Sequence, residues 1–394
     1  MNSYIYALNL KDGSANIKSK YSSDNTKIKI LDDEDSLILI DGYFLNEREF
    51  ANQYSSKSKI KFEELLLSLS KRNIRYEQDL EGSFSIIFFD KKNIVLKFIS
   101  DYWGSRPTYY FKKDSMSYIS NDLYFLKKKL NIKVTPNIKK IKELLAWQNI
   151  DDSSTFYNEI DNIKGGSILT ISQKSVKHEF FSIFDKQKKF PAYDEITFQK
   201  VFETAVHKRS SKFNYITVML SGGLDSSAVA VALKNSLSKN IETISANFSH
   251  IDDSSETDEA RYQKFVSDFT KFNENHVEMK GKSILEDIDK YIHIFQEPVI
   301  LPNLYMFELI CKNLERTKID SIFDGNDGDS VISYGFEDIF KYFTSFRFVS
   351  FFKAVSAYAQ VHRKSKKSMF HFFLRNTAKK IFKLNGKVKN KTLL

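Results

Sequence analysis

Two glycines and three serines follow an apolar stretch near the middle of the chain. Residues 215–220 read YITVML, and residues 221–227 read SGGLDSS directly after them. Glycine lets the backbone approach an anion with no Cβ in the way. The free N–H groups at the start of the helix predicted at 226–237 favour a phosphate. The pattern therefore predicts a phosphate-binding turn between a strand and a helix.

The side chains of this turn support the same chemistry. The hydroxyls of Ser221, Ser226 and Ser227 can donate to phosphate oxygens. Asp225 is the exception, because a carboxylate beside a phosphate is unfavourable unless a cation lies between them, so it indicates Mg²⁺. The turn is not a Walker A loop, since GxxxxGK[ST] is absent. The alternative is a plain glycine turn between a buried strand and a helix.

A second polar loop follows a strand predicted at 319–323. Residues 324–330 read DGNDGDS, so that Asp324, Asp327 and Asp329 offer carboxylates close together, at least one of which can reach a metal. Parallel sheets bind ligands at the carboxyl ends of their strands, where Ser221 and Asp324 are both expected. The alternatives are a solvated turn or a Ca²⁺-type loop, although the EF-hand spacing fails at its twelfth position.

The elements predicted around these loops change in character along the chain. The first 180 residues are rich in predicted strands, with a few helices and a turn at Asp41-Gly42. The predicted strands are 36–40, 83–90 and 94–100, and the predicted helices are 62–69 and 141–148. After a charged linker predicted at 184–195, strands and helices alternate. An α+β part followed by an α/β part with a parallel sheet is therefore expected.

Bulk composition limits the class of protein. The chain has 394 residues, of which 42% are hydrophobic, so two globular domains are the natural expectation. Cys311 is its single cysteine, which excludes a disulfide framework within the chain. The start of the sequence lacks the pattern of a signal peptide, and no apolar run approaches the length of a membrane span. We expect a cytoplasmic protein.

The net charge of +10 is concentrated at one end of the sequence. Residues 361–394 contain eleven Lys or Arg and no Asp or Glu. Such a tail can contact a membrane surface or an acidic partner weakly, or it can pack on the rest of the protein with its lysines in solvent. No motif for specific nucleic-acid binding is present. The seven histidines lack the spacing of a zinc site.

In this order, the segments resemble the asparagine synthetase family, which includes β-lactam synthetases and lasso-peptide cyclases. SGGLDSS is similar to the pyrophosphate loop of ATP pyrophosphatases, and residues 324–330 stand where the family has SGxGxDE. Weaker matches, spread over about residues 1–340, occur in family order. They are LEGSFS at 80–85, RPTYY at 106–110, IDNIKGG at 160–166, Asp258-Glu259 and Glu297-Pro298.

The resemblance implies two domains and a tail. Residues 1–185 would form an α+β, glutaminase-like domain of the Ntn type, an αββα sandwich. Residues 195–340 would form an α/β parallel-sheet ATP-pyrophosphatase domain, similar to the adenine nucleotide α-hydrolases. Residues 341–394 would be a basic, aromatic, helical tail.

The resemblance also implies a function, which is ATP-dependent amide-bond formation through an acyl-adenylate. ATP and Mg²⁺ would be the cofactors, and the acyl substrate would be a small-molecule or peptide carboxylate. Asp225 and Asp329 would hold Mg²⁺ and act in catalysis. The residues implied to hold the nucleotide are Leu220, Ser221, Gly222, Gly223, Asp225, Ser226, Ser227, Ala246, Asp324 and Gly325.

Three departures from the family pattern change this expectation. Asn2 stands where the family's glutaminases carry a nucleophilic cysteine, and residues 41–43 read DGY in place of NGE, so glutamine is not expected as the amine donor. This is the character of the β-lactam synthetase and lasso-cyclase branch. Asn326 and Ser330 replace two acidic residues, and the family continues well beyond this loop. The alternatives are therefore an inactive binding or scaffold subunit, or a half-enzyme completed by a partner subunit.

Overall fold

A computed structural model provides the structure of the protein. It describes residues 3–20, 28–56, 60–147, 153–182, 194–234, 240–247, 259–279, 287–298, 303–315, 317–328, 336–361 and 364–385. Two compact units divide the chain: the first comprises Met1–Lys212 and Met279–Arg316, and the second comprises Phe213–Glu278 and Thr317–Leu394.

The first unit contains two antiparallel sheets. Their strands are β1 (Ser3–Asn9), β2 (Ala15–Lys20), β3 (Lys29–Asp32), β4 (Ser36–Phe44), β5 (Gly82–Asp90), β6 (Val95–Ser100), β7 (Tyr109–Lys113), β8 (Met116–Ser120), β9 (Ile160–Asn162), β10 (Ser167–Ile171) and β11 (Val176–Phe180). The five-stranded sheet has the order β2-β1-β8-β7-β9, and the six-stranded sheet has the order β11-β10-β6-β5-β4-β3. The predicted strands and the hairpin between β5 and β6 are confirmed.

Alternation along β4 shows how these sheets are layered. Successive side chains of a strand point to opposite faces. Leu37 and Leu39 join a core that includes residues of both sheets, whereas Ile38 and Ile40 join a second core. Helices α1 (Glu47–Tyr54) and α2 (Phe62–Lys71) cover this second core, and α3 (Leu123–Leu130) covers the far face of the five-stranded sheet. The layers are therefore helix, sheet, sheet and helix.

Two details of the first unit correct the sequence predictions. Asp41-Gly42 is not a turn, because β4 continues to Phe44 and Gly42 pairs with Phe84. Gly42 has φ +123°, and a Cβ there would lie 2.0 Å from the Ser83 carbonyl oxygen, so glycine permits the close approach of the strands. The helix predicted at 141–148 begins earlier, as α4 (Ile138–Leu145), because the Asn137 side chain caps it.

The predicted linker falls mostly outside the described residues. Residues 183–193 are not described, and Asp194 already caps α5 (Glu195–Ser210) by accepting a hydrogen bond from the Thr197 N–H.

The second unit contains a parallel sheet, as the alternation of strands and helices predicts. Strands β12 (Tyr215–Met219), β13 (Asn240–Asn247), β14 (Asn273–Glu278) and β15 (Ser321–Phe323) are arranged in the order β14-β13-β12-β15. All described pairings in this sheet are parallel. Helices α6 (Leu224–Lys234) and α7 (Ala260–Thr270) connect the first three strands. Two further helices, α8 (Ile288–Phe295) and α9 (Leu304–Leu314), belong to the first unit.

Three helices follow the sheet in the second unit: α10 (Phe336–Thr344), α11 (Phe348–Val361) and α12 (Lys366–Asn385). They pack on one another around Ile339, Phe351, Val355 and Phe373, which are all buried. The basic segment therefore contains a small aromatic core of its own. In the described part of the chain, no helix is long and apolar enough to cross a membrane.

Candidate functional site

The turn after β12 is tight, and its hydroxyl groups hold it. Gly222 has φ +91°, which favours glycine, and a Cβ there would lie 3.0 Å from the Glu259 carbonyl oxygen. The Ser221 Oγ accepts the Gly223 N–H at 3.1 Å and lies 3.0 Å from the Ser226 Oγ. Helix α6 begins at Leu224, two residues earlier than predicted, so Asp225 lies in its first turn.

Three buried oxygen atoms near this turn lack a hydrogen-bond partner among the described residues. They are the Ser227 Oγ on α6, the Asn247 Oδ1 at the end of β13 and the Gln263 Oε1 on α7. The other end of the Gln263 amide donates to the Ser221 carbonyl oxygen at 3.3 Å. Buried polar atoms in folded proteins are normally hydrogen-bonded, so this group indicates a place where a polar ligand completes the bonding.

The loop after β15 lies directly against the first turn of α6. A Cβ on Gly325 would come within 2.3 Å of the Ser226 backbone nitrogen, and a Cβ on Gly328 within 2.3 Å of the Asp225 Cγ. β15 pairs with β12, which brings the carboxyl ends of both strands to the same edge of the sheet. The structure therefore brings together the two loops that the sequence singles out.

Two hydrogen bonds within the acidic loop join Asp324 and Asn326. The Asp324 Oδ1 accepts the Asn326 backbone N–H at 3.1 Å, and the Asn326 side-chain amide donates to the Asp324 Oδ2 at the same distance. Asp324 and Asp327 are both exposed. The carboxylates of Asp324 and Asp327 therefore face solvent rather than a protein core.

The remaining predicted site residues are placed as follows. Leu220 is buried, and its carbonyl oxygen accepts the Ser245 hydroxyl at 2.8 Å. Ala246 is half-buried in the neighbouring strand β13. Asp329, Ser330 and Asp258 lie outside the described residues, so the pairing of Asp225 with Asp329 stays a prediction. Within the ranges described, no three metal-ligating side chains cluster.

The oxygen atoms that the described residues offer near the turn decide whether Mg²⁺ fits this site. The Asp225 carboxylate lies against Gly328, and Ser227, two residues further along the first turn of α6, has a buried hydroxyl with no partner among the described residues. A hard divalent cation prefers oxygen ligands of this kind together with phosphate oxygens. The described residues fit Mg²⁺.

Sequence reasoning missed the part played by α7. Glu259 precedes this helix, burial raises the pKa of its carboxyl group, and its carbonyl oxygen lies against Gly222. Gln263 is buried one turn later and bonds to the phosphate turn. Gln263 shares the buried face of this helix with Val266, Ser267 and Thr270, whereas Phe265 and Phe269 are exposed, so the apolar periodicity of the sequence did not single it out.

In the first unit, Asp41 of β4 forms a buried ion pair with Arg106. The Asp41 Oδ1 is 3.8 Å from the Arg106 Nη1, and the Asn121 amide donates to the Asp41 Oδ2 at 3.1 Å. Burial raises the pKa of the Asp41 carboxyl group, and Arg106 opposes that shift. The single cysteine, Cys311, lies on α9 and is exposed.

A cleft of about 380 Å³ in the same unit is lined in part by Glu297 of the Glu297-Pro298 step. The Glu297 Oε1 accepts the Phe156 backbone N–H at 2.8 Å. Burial raises the pKa of Glu297, and the nearby Lys140 lowers it in part. Glu297 therefore anchors the segment after α8 to the strand-rich part of the first unit.

Comparison with known families covers both halves of the sequence. The family model described as "Asparagine synthase" matches residues 197–384, and the one described as "Glutamine amidotransferase domain" matches residues 30–182. The chain belongs to the asparagine synthetase family.

A curated relative supports the membership. The chain is 26% identical over 294 residues to "Putative asparagine synthetase [glutamine-hydrolyzing] 2" of Methanocaldococcus jannaschii. The match covers 71% of this chain and 56% of the relative, so the chain spans about half the length of that protein.

Two solved structures align more distantly. A glutamine phosphoribosylpyrophosphate amidotransferase from B. subtilis, complexed with ADP and GMP, is 10% identical, with 61% of this chain and 59% of that chain covered at a TM-score of 0.26. An NH3-dependent NAD synthetase from Campylobacter jejuni is 16% identical, with 36% and 62% covered, also at 0.26. The fold rests instead on the sheets described above and on the two family models.

Proposed function

We propose that the second unit binds ATP and activates a carboxylate as an acyl-adenylate, which an amine then converts to an amide. The observation that carries this proposal is the direct contact between the 221–227 turn and the 324–328 loop at the carboxyl ends of β12 and β15. In parallel sheets this edge is where ligands bind. The family membership supports the same chemistry.

In the proposed reaction, a carboxylate oxygen of the substrate attacks the α-phosphate of ATP. The bond between the α- and β-phosphates breaks, and pyrophosphate leaves on the 221–227 turn. The amine nitrogen then attacks the acyl carbon, AMP departs with the electron pair, and the amine loses a proton. Charge develops on the phosphates, where N–H and hydroxyl groups of the turn stabilise it most effectively.

Each part of the site has a proposed role. Ser221, Ser226 and Ser227, with the backbone of Gly222 and Gly223, hold the pyrophosphate. The adenosine lies along Leu220, Ala246, Asp324 and Gly325. Asp225 and Asp329 hold Mg²⁺, which when bound neutralises charge on the leaving pyrophosphate. The Ser227 Oγ gains in this way the hydrogen-bond partner that it lacks among the described residues.

Glutamine is not the proposed amine donor, which places the protein with the glutaminase-inactive members of its family. Asp41 is buried and held by Arg106 and Asn121 within the first unit, where the family pattern has an asparagine. Cys311 lies on helix α9 and is exposed. Ammonia, or an amine within the substrate, is the donor that we propose.

Product analysis tests the proposal. The protein is incubated with ATP, Mg²⁺ and a panel of carboxylic acids and peptides, with ammonium or glutamine in separate arms. We expect AMP and pyrophosphate in equal amounts with ammonium or with a substrate that carries its own amine. Asp225→Asn should reduce their formation by about 100-fold or more. ADP and phosphate as products would exclude the mechanism.

An inactive or half-enzyme role is the second candidate. Asn326 stands at an acidic position of the family loop, and its side-chain amide donates to Asp324. A half-enzyme completed by a partner subunit is the other form of this candidate. Calorimetry with ATP and Mg²⁺ separates the candidates: absence of binding supports the scaffold role, whereas binding without turnover supports a half-enzyme.

A further inference from the structure

An exposed apolar patch lies on the helices that follow the parallel sheet. We define the aromatic patch as Phe346, Phe348, Val349 and Phe352, whose exposed fractions are 81%, 43%, 71% and 54%. Scattered single apolar residues on a surface are ordinary, but four within seven positions form a group. This group therefore requires an explanation.

The arrangement of α11 shows that the patch is one surface. Phe351 and Val355 point into the core of the three helices, whereas Val349 and Phe352, three residues apart, are neighbours on a face of the same helix outside that core. The rings of Phe346 and Phe348 meet edge to face, with centroids 6.0 Å apart. Phe352 stacks on Phe370 of α12, with centroids 5.1 Å apart, so the patch extends towards the next helix.

Phe346 is in an unfavourable conformation for a phenylalanine. It has φ +58° in the turn between α10 and α11, where the Arg347 N–H donates to the Tyr342 carbonyl oxygen at 2.8 Å. Glycine or asparagine normally occupies this left-handed position at a helix end. A bulky residue there is strained and in this case is also the most exposed member of the patch. Neither burial in a core nor local backbone preference explains a phenylalanine at this position.

The charged residues that follow Asp338 of α10 in the sequence are all positive. Residues 339–394 contain fourteen Lys or Arg and no Asp or Glu. Those nearest to the patch in sequence, Arg347 and Lys353, are exposed, as are Lys364, Lys366 and Lys367 before or at the start of α12. Aromatic side chains beside a cluster of cations are what an anionic lipid surface binds, because the rings enter the headgroup region and the cations attract the lipids.

We propose that the aromatic patch and the cations beside it bind the surface of an anionic lipid bilayer. A nucleic-acid duplex would be attracted by the same cations, but its bases are stacked inside the helix and its phosphates do not bind exposed phenylalanine and valine side chains. The exposed apolar side chains therefore favour a membrane surface as the occupant. This proposal is independent of the chemistry at the 221–227 turn.

Vesicle co-sedimentation of the full chain tests the proposal. The vesicles are phosphatidylcholine alone or phosphatidylcholine mixed with phosphatidylglycerol. We expect binding to the mixed vesicles only. The double variant Val349→Ser/Phe352→Ser should bind about tenfold or more weakly, because each side chain loses its burial in lipid. The control is Phe265→Ser on α7, whose side chain is 74% exposed outside the patch and should leave binding unchanged.

Phe346→Asn separates lipid binding from folding. Asparagine suits the left-handed position, so this variant should melt at the same temperature as the wild type or higher while it binds vesicles more weakly. Lys366→Glu/Lys367→Glu should remove the preference for anionic vesicles. The proposal is overturned if mixed vesicles are not bound, if the patch variants and Phe265→Ser bind alike, or if a DNA duplex is bound equally well by wild type and patch variants in place of vesicles.

Discussion

Replacement of Gly325 by alanine should separate the two loops of the nucleotide site. The new Cβ would come within 2.3 Å of the Ser226 backbone nitrogen and 2.8 Å of the Asp225 carbonyl carbon. Both atoms belong to backbone, so rotation of a side chain cannot relieve the contact. Overpacking of this kind costs about 1–3 kcal/mol of folding free energy. The loop and the first turn of α6 should move apart to reduce that cost.

Binding of ATP should weaken for the same reason. If displacement of the turn removes one or two hydrogen bonds to charged phosphate oxygens, the dissociation constant for ATP with Mg²⁺ should rise roughly 10- to 100-fold. The assay combines calorimetric titration of the nucleotide with a thermal unfolding curve of the same preparation. Both quantities are measured on the full chain.

Gly223→Ala is the matched control for stability. A Cβ there would meet only the Ser221 Oγ, at 3.3 Å, and Gly223 has no left-handed φ. This substitution should leave stability unchanged or raise it slightly, because alanine restricts the unfolded chain. If Gly325→Ala instead matched the wild type in both stability and affinity for ATP, the close contact between the loops would be refuted.

Two further predictions concern stability. The pKa of Glu308 is lowered to about 2 from its ordinary 4.5 by hydrogen bonds from Lys290, Lys312 and the Tyr291 hydroxyl. The variant Glu308→Gln should therefore be less stable than the wild type by up to about 1 kcal/mol at pH 7. The difference in stability between wild type and variant should shrink as pH falls from 4.5 towards 2, because wild-type Glu308 becomes protonated in that range. Unfolding curves measured across this range test the prediction, and a difference that stays constant would contradict it. Phe373→Ala should destabilise the three-helix core by about 3–5 kcal/mol, since Phe373 is fully buried; an unchanged denaturation midpoint would show that these helices do not depend on it.

Local patterns predicted much of the fold. The apolar runs at 36–40 and 83–90 are strands, and the alternation of strands and helices after residue 198 forms a parallel sheet. Boundaries were less well predicted, because they depend on single residues. The Asn137 cap moves the start of α4, and Gly42 allows β4 to continue where Asp-Gly suggested a turn.

Contacts distant in sequence could not be predicted in the same way. SGGLDSS indicated a phosphate-binding turn, but nothing local shows that Gly325 and Gly328 lie against Asp225 and Ser226. That contact follows from the pairing of β15 with β12, which is a property of the sheet. The strained conformation of Phe346 likewise depends on how α10 and α11 pack. Residue types therefore predicted the chemistry of the candidate site, whereas the tertiary structure determines which residues meet there.

Photolabelling with 8-azido-ATP in the presence of Mg²⁺ tests the central claim most directly. After irradiation and proteolysis, mass spectrometry identifies the labelled peptides. We predict that label appears in peptides from 213–247 or 317–328, and that excess ATP or pyrophosphate suppresses it. Label confined to residues 1–212, or label that neither competitor reduces, would contradict the assignment of ATP to the 221–227 turn.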